Sequence, residues 1–92
     1  MEKIEKDLIV ANKKGLHARP AALFVSLVEK FNVTVTLAKD SEAVNGKSIM
    51  GILMLGASVG TVLKITVEGQ EAVKAMSVFE DFFSKQEEEL IP

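Results

Sequence analysis

The stretch Val33–Asn45, VTVTLAKDSEAVN, determines the class of fold. From Val33 to Leu37 apolar side chains alternate with threonine, a period typical of a strand with one buried face. Lys39–Ser41 is typical of a hairpin turn, and a short return strand is expected over Glu42–Asn45. Consecutive strands joined by a tight turn pair antiparallel, so this stretch predicts an antiparallel sheet.

Five further segments surround the hairpin, and each has the periodicity of a strand or a helix. They predict the order βαββαβα, with connections too short for crossovers that would cover both faces of a parallel sheet. We therefore expect an α+β fold, an antiparallel sheet with helices on one face. The segments are a strand over residues 4–11, a helix over 18–30, a helix over 49–55, a strand over 61–68 and a last helix that begins after Gly69 and buries Ala72, Ala75, Met76, Phe79, Phe82 and Phe83.

The composition excludes several kinds of site. The 92 residues include 11 Lys and Arg and 13 Asp and Glu, a net charge of −2, with one His and no Cys. A chain of this length is expected to form one domain over residues 1–92. Without cysteine there is no disulfide, and one histidine is too few for a multi-histidine metal centre, so neither a metal nor a cofactor is expected. The same inventory favours the cytoplasm.

Charge and hydropathy also argue against two kinds of partner. A net charge of −2, with no Trp or Tyr to stack on bases, disfavours nucleic-acid binding. The charged start MEKIEKD carries no signal-peptide apolar region. The most apolar run, Ile49–Leu63, contains three glycines and is shorter than the roughly 20 residues that cross a bilayer, so it is interpreted as buried core and no membrane insertion is expected.

The only His and the only Arg lie two residues apart in Gly15–Ala21, GLHARPA, where a loop enters the first helix. A helix start presents unpaired N–H groups and a partial positive charge, and so favours anions, phosphates above all. Arg19 in the first turn opposes the helix dipole at a cost of roughly 0.3 to 1 kcal/mol. A bound anion would offset this cost, so we expect the N–H groups, Arg19 and His17 to converge on a phosphoryl group.

His17 is a competent nucleophile when its imidazole is neutral. The sequence offers it no partner that resembles a hydrolytic dyad and no glycine-rich phosphate loop. The residues therefore favour a site that accepts a phosphoryl group and passes it on over one that hydrolyses. The alternative is that His17 is a capping or solvent-exposed residue beside an unrelated arginine.

Three motifs carry a family resemblance: GLHARPA over residues 15–21, VNGKSIMGILML over 44–55 and GTVLKITVEG over 60–69. In this order they closely resemble the HPr family, the histidine-containing phosphocarriers of the bacterial phosphoenolpyruvate-dependent phosphotransferase system. The resemblance covers nearly the whole chain. It implies an open-faced β-sandwich, four antiparallel strands with three helices on one face, in agreement with the order of the predicted segments.

The resemblance also implies the roles of individual residues. His17 would accept a phosphoryl group at Nδ1 from phospho-enzyme I and pass it to a sugar-specific enzyme IIA. Arg19 would stabilise the phosphate together with the backbone N–H groups of Ala18 and Arg19, and Pro20 matches the residue that follows in the family. Such a protein is a phosphoryl-transfer intermediate rather than a turnover enzyme on a small molecule.

Ser48 matches the regulatory serine of family members that are substrates of HPr kinase/phosphorylase. A phosphate there would add roughly −1.5 to −2 charge at the start of the second helix, beside its apolar surface. It would weaken the docking of an acidic partner, and a transcription regulator could read it in carbon catabolite regulation. The alternative is that Ser48 is simply an N-cap, a position that serine prefers.

A short helix on a sheet cannot bury all its sides, and matching family positions dock enzyme I and enzyme IIA. The resemblance therefore implies a docking surface of Ile49, Met50 and Leu53, with Ala18 and Arg19 at its rim. Transfer contacts are expected to be small and short-lived, and the carrier is expected to be a monomer.

Three alternatives remain open at this point. Lys14 beside the site and the stretch NKKGLHARP are also reminiscent of the nitrogen-branch carrier. A regulatory adaptor that acts mainly through phospho-Ser48 is a second reading. A ferredoxin-like small-molecule-binding module shares the order βαββαβ but leaves GLHARPA without a purpose. The acidic tail, Glu87–Glu89, is expected to be solvated or frayed.

Overall fold

The computed structural model describes residues 2–90. It has four strands and four helices in the order β-α-β-β-α-β-α-α, so the predicted order is confirmed and one helix is added at its end. The elements are β1 (Glu2–Ile9), α1 (Ala18–Val28), β2 (Thr34–Lys39), β3 (Glu42–Asn45), α2 (Ile49–Met54), β4 (Val62–Gly69), α3 (Ala72–Phe83) and α4 (Glu87–Leu90).

The four strands form one antiparallel sheet in the order β1-β4-β2-β3. The hairpin that the sequence predicts joins β2 to β3, with Leu37 opposite Val44 and a left-handed Asp40 (φ 54°) in the turn. β4 lies between β1 and β2, where Leu63 faces Leu8 and Ile65 faces Leu37. The open face of the sheet pairs opposite charges across β1 and β4 and is solvated, as in the predicted open-faced sandwich.

The core lies between the sheet and the helices α1 and α3. Alternate residues of β4 point into it because successive strand side chains face opposite sides of a sheet. On the helical side the Phe24 ring packs against the rings of Phe79, Phe82 and Phe83, with centroids 5.1 to 5.4 Å apart. The phenylalanines of α3 are therefore core residues, as the sequence predicts. The core side chains exposed by less than 1% are Ala21, Phe24, Val28, Leu37, Ile52, Leu63, Ile65, Val67, Ala72, Ala75 and Phe79.

The interpretation of Ile49–Leu63 as buried core is wrong for much of the run. Ile52 and Leu55 are buried, whereas Ile49, Met50 and Met54 are exposed by 40%, 67% and 76%. The reason is geometric, since α2 has six residues and presents one side to the sheet. No helix among residues 2–90 is long and apolar enough to cross a membrane.

The expectation of a frayed acidic tail is also corrected. Residues Glu87–Leu90 form α4, and the Glu87 side chain is only 15% exposed. Glu88 and Glu89 are exposed, as expected. Leu90 packs against the core, which holds the short helix on the protein.

Candidate functional site

The loop before α1 is held in place by glycine and by a buried asparagine. Gly15 has φ +73°, and a Cβ there would lie 2.5 Å from the carbonyl oxygen of Ala57. The next N–H, that of Leu16, donates to the same oxygen at 2.8 Å. Asn12, 6% exposed, closes the loop by donating from Nδ2 to the Gly15 carbonyl at 3.0 Å. These contacts therefore fix the backbone of the loop that places His17 at the start of α1.

His17 occupies the N-cap position of α1, but its side chain makes no capping hydrogen bond. The His17 side chain therefore does not cap the helix and is available for other contacts. Its carbonyl accepts from the N–H of Ala21 at 3.0 Å, the first hydrogen bond of the helix. Pro20 has no N–H, so the unpaired donors at this helix start are the N–H groups of His17, Ala18 and Arg19, which have no hydrogen-bond partner among residues 2–90.

Two positive side chains, those of Lys14 and Arg19, lie near these donors. Lys14, His17, Ala18 and Arg19 line one surface hollow together with Glu87. The Arg19 side chain is 62% exposed and so can move toward a bound group. A helix start, a guanidinium and an ammonium lie around one hollow, an arrangement that favours anions.

The anion that the structure places in this hollow is the carboxylate of Glu87. Nε2 of His17 forms a hydrogen bond with Glu87 Oε1, and Nη1 of Arg19 lies 3.4 Å from Glu87 Oε2. One carboxylate thus bridges the only His and the only Arg of the chain. Its negative charge offsets the unfavourable interaction between Arg19 and the positive end of the helix dipole.

A set of hydrogen bonds ties the segment around Glu87 to the loop before α1. The N–H of Lys13 donates to Gln86 Oε1 at 2.9 Å, and Gln86 Nε2 donates to the Ala11 carbonyl at 2.7 Å. The N–H of Glu87 donates to Oδ1 of the buried Asn12 at 2.9 Å. We call Gln86–Leu90 the C-terminal strap. It is docked by backbone and side-chain contacts that do not depend on Glu87 Oε1 or Oε2.

Sequence reasoning missed the strap, although one local signal marks its helix. The N–H of Gln86 donates to Glu89 Oε1 at 2.8 Å, the spacing of half a capping box. That signal predicts a helix start at Gln86 but nothing about its docking. Beside the strap, Lys85 donates to Asp81 at 2.9 Å, and this hydrogen bond, with the Asp81 charge, raises the pKa of Lys85.

The residues of the predicted docking surface lie close to the site. Leu53 lines a second hollow with Lys14 and His17, and Ala18 is exposed. Ile49 and Met50 are exposed on the same helix as Leu53. The structure thus brings α2 next to the start of α1, so one partner could contact both.

Ser48 is the N-cap of α2, as the sequence predicts. Its Oγ accepts from the N–H of Gly51 at 3.0 Å. The side chain is half-buried, directly before the exposed Ile49 and Met50. Ser48 therefore lies at the edge of the apolar surface, separate from the contacts of His17.

Comparisons with known proteins agree with these features. The family model described as the PTS HPr component phosphorylation site matches residues 4–85. The phosphocarrier protein HPr of Xylella fastidiosa is 41% identical over 83 residues, which cover 90% of this chain and 93% of that protein. The crystal structure of HPr from Bacillus anthracis superimposes with a TM-score of 0.85 at 38% identity, covering 90% and 99% of the two chains.

A regulatory relative is also similar. The crystal structure of Crh, a catabolite-repression protein of Bacillus subtilis that forms a domain-swapped dimer, has a TM-score of 0.71 at 35% identity and covers 97% of this chain and 98% of its own. These matches favour a phosphocarrier or a regulatory relative over a ferredoxin-like module. The GLHARPA helix start, the open-faced sheet and the family match over residues 4–85 together show that this chain belongs to the HPr family of phosphocarrier proteins.

Proposed function

We propose that this protein is a phosphocarrier that accepts a phosphoryl group on His17 from phospho-enzyme I and passes it to an enzyme IIA. The observation that carries the proposal is the placement of His17 at the N-cap of α1 without a capping bond. The unpaired N–H groups of Ala18 and Arg19 and the Arg19 guanidinium lie beside it. These are the groups that a transferring phosphoryl oxygen needs.

The transfer requires no metal in this mechanism. A lone pair of the His17 ring attacks phosphorus as the phosphorus–nitrogen bond of the donor histidine breaks, and that electron pair returns to the donor ring. The backbone donors of Ala18 and Arg19 and the guanidinium neutralise charge on the phosphoryl oxygens. The same steps in reverse order deliver the group to enzyme IIA.

The docking surface of the carrier is Ile49, Met50 and Leu53 with Ala18 and Arg19 at the rim. Exposed methionines adapt to differently shaped partners, and three of the α2 side chains are at least 40% exposed. Small, transient interfaces suit a cytoplasmic monomer that serves enzyme I and enzyme IIA in turn. A swapped dimer like that of Crh is the alternative state, and sedimentation equilibrium separates the two.

The test is phosphoryl transfer from phosphoenolpyruvate and enzyme I to the wild type and to His17→Ala, followed by mass spectrometry. We expect a gain of one acid-labile phosphate in the wild type and none in the variant. Circular dichroism confirms that the variant is folded. Undiminished acid-labile labelling of His17→Ala would overturn the assignment. Using enzyme I proteins of the sugar and nitrogen branches in parallel identifies the donor, and we expect the sugar-branch enzyme to be the faster one.

A second function is favoured by the position of Ser48. Its half-buried hydroxyl adjoins the exposed apolar side chains of α2, so a phosphate there places about two negative charges beside the docking surface. We infer that HPr kinase/phosphorylase modifies Ser48 and that a transcription regulator recognises the product. Incubation with such a kinase and ATP is expected to give an acid-stable phosphate that Ser48→Ala lacks. Labelling of both proteins alike would rule out Ser48 as the acceptor.

A further inference from the structure

The His17–Glu87 hydrogen bond constrains which ring nitrogen can react. In a neutral imidazole one nitrogen carries the proton and the other carries the lone pair. A carboxylate can only accept, so the nitrogen that faces Glu87 Oε1, which is Nε2, must be the donor. The lone pair then resides on Nδ1.

From this geometry we propose that Glu87 is a positioning residue for phosphoryl acceptance: its carboxylate holds His17 in the Nε2–H tautomer and stabilises the charge that the ring gains on phosphorylation. The inference rests on the proposed function of His17. It assigns a role to the C-terminal strap, which has no counterpart in the motifs of the sequence.

The electron balance shows where the carboxylate acts. The Nδ1 lone pair forms the new bond to phosphorus, while the donor histidine recovers the electron pair of the bond that breaks. No proton leaves Nδ1 because none is there. The product ring holds a phosphoryl group at Nδ1 and a proton at Nε2, so it is positively charged, and Glu87 Oε1 lies beside that proton.

The hydrogen bonds of the C-terminal strap hold the Glu87 carboxylate in place beside His17. Asn12 and Gln86 fix the backbone of the strap on the loop that leads to His17. The Glu87 side chain is 15% exposed, against 40% for that of His17, so water competes weakly for the carboxylate. Because the carboxylate binds Nε2 and Arg19, it leaves Nδ1 unoccupied among residues 2–90.

Three variants separate the two parts of the role. Glu87→Gln removes the charge and leaves one oxygen acceptor for which Nε2–H and Arg19 compete, and Glu87→Ala removes the charge and both oxygens. Glu88→Ala is the matched control, because Glu88 is exposed on the same helix and its loss changes the net charge by the same amount. Each variant retains His17, so each still gains an acid-labile phosphate if the proposed function holds.

The first readout is the tautomer of His17, measured from the 15N chemical shifts of the neutral ring. The chain has one histidine, so the assignment is unambiguous. We expect the Nε2–H form alone in the wild type and Glu88→Ala, and a clear second population of Nδ1–H in Glu87→Ala and also in Glu87→Gln, whose amide N–H can donate to Nε2. An unchanged tautomer in Glu87→Ala would overturn the proposal even if phosphorylation of His17 is normal.

The second readout is the rate of phosphorylation by phospho-enzyme I. Partners that orient a metal-bound histidine contribute about 10- to 100-fold, and we expect an effect of similar size here: kcat/KM falls about tenfold or more in Glu87→Ala, less in Glu87→Gln and not at all in Glu88→Ala. The loss is expected in kcat, since KM reports docking. A faster Glu87→Ala would show that the carboxylate blocks the site, and an effect on KM alone would show a docking role; either result contradicts the proposal. Failure of the wild type to be labelled would instead contradict the proposed function.

Discussion

The carboxylate of Glu87 forms a hydrogen bond with Nε2 of His17, which lies 70 positions earlier in the chain. The same carboxylate lies 3.4 Å from Arg19, so a single acidic group connects the C-terminal strap to both polar side chains at the start of α1. The strap thereby places a negative charge where the helix dipole and the arginine are both positive. Four predictions concern the other residues that build this site and its surroundings.

Removal of the Arg19 guanidinium is expected to impair transfer without destabilising the fold. Arg19→Ala loses a hydrogen bond to a charged group, worth about 1.5 to 3 kcal/mol, so kcat/KM for phosphorylation is expected to fall about 10- to 100-fold. The free energy of unfolding is expected to change by about 0.5 kcal/mol or less, because the side chain is 62% exposed and opposes the helix dipole. Lys30→Ala, an exposed cation just after α1, is the control. Equal transfer rates in the two variants would contradict this role.

A side chain at residue 15 is expected to disturb the loop that presents His17. Gly15→Ala combines a left-handed backbone with a Cβ only 2.5 Å from the Ala57 carbonyl oxygen. We expect urea unfolding to show a loss of about 2 to 4 kcal/mol. Gly56→Ala is a matched control, since Gly56 has φ +61° and open space around a Cβ. Its cost is expected to be about 1 kcal/mol, from the backbone alone. Equal costs would show that the contact with Ala57 does not matter.

Met50 is expected to contribute to docking and not to folding. The side chain is 67% exposed, so Met50→Ala is expected to change the free energy of unfolding by about 0.5 kcal/mol or less. The KM for phosphorylation by enzyme I is expected to rise about three- to tenfold, as for an apolar contact of about 1 kcal/mol. Val73→Ala, which removes an apolar side chain 55% exposed on α3, is the control. A rise in KM for both variants would indicate a general effect of surface hydrophobicity.

Ser48 is expected to have separable roles in stability and in docking. Ser48→Ala loses the bond to the Gly51 N–H and is expected to lower the free energy of unfolding by about 1 kcal/mol. Ser48→Asp keeps an N-cap acceptor and is expected to remain within about 0.5 kcal/mol of the wild type. It nonetheless adds a negative charge beside Ile49 and Met50, so calorimetry is expected to show weaker enzyme I binding. Weaker binding in Ser48→Ala alone would assign the effect to the cap.

The sequence predicted the strands, α1, α3 and the N-cap of α2 because each is specified by neighbours within a few positions. The alternation from Val33 to Leu37 and the spacing of the α3 phenylalanines are local signals of this kind. The prediction of an anion at the start of α1 also rests on local features, since the helix dipole and Arg19 belong to one helix turn.

The features that the sequence did not predict depend on packing between segments that are distant in the chain. The exposure of Met50 and Met54 follows from how α2 lies on the sheet, and hydrophobicity alone predicts the opposite. The role of Glu87 could not be predicted because its partners, Asn12 and His17, are 75 and 70 positions away. A run of three glutamates is typical of a solvated tail, and only the docking of Gln86 on the loop distinguishes the first of them.

Pro20 has a consequence for how firmly a phosphoryl group can be held. Another residue at this position would give α1 a fourth unpaired N–H, whereas proline leaves the three of His17, Ala18 and Arg19. If the proposed function holds, the phosphoryl oxygens therefore have one backbone donor fewer and can accept hydrogen bonds from the receiving protein. A carrier that bound the phosphoryl group with every backbone donor would release it more slowly. The N–H that Pro20 lacks therefore favours transfer to the receiving protein.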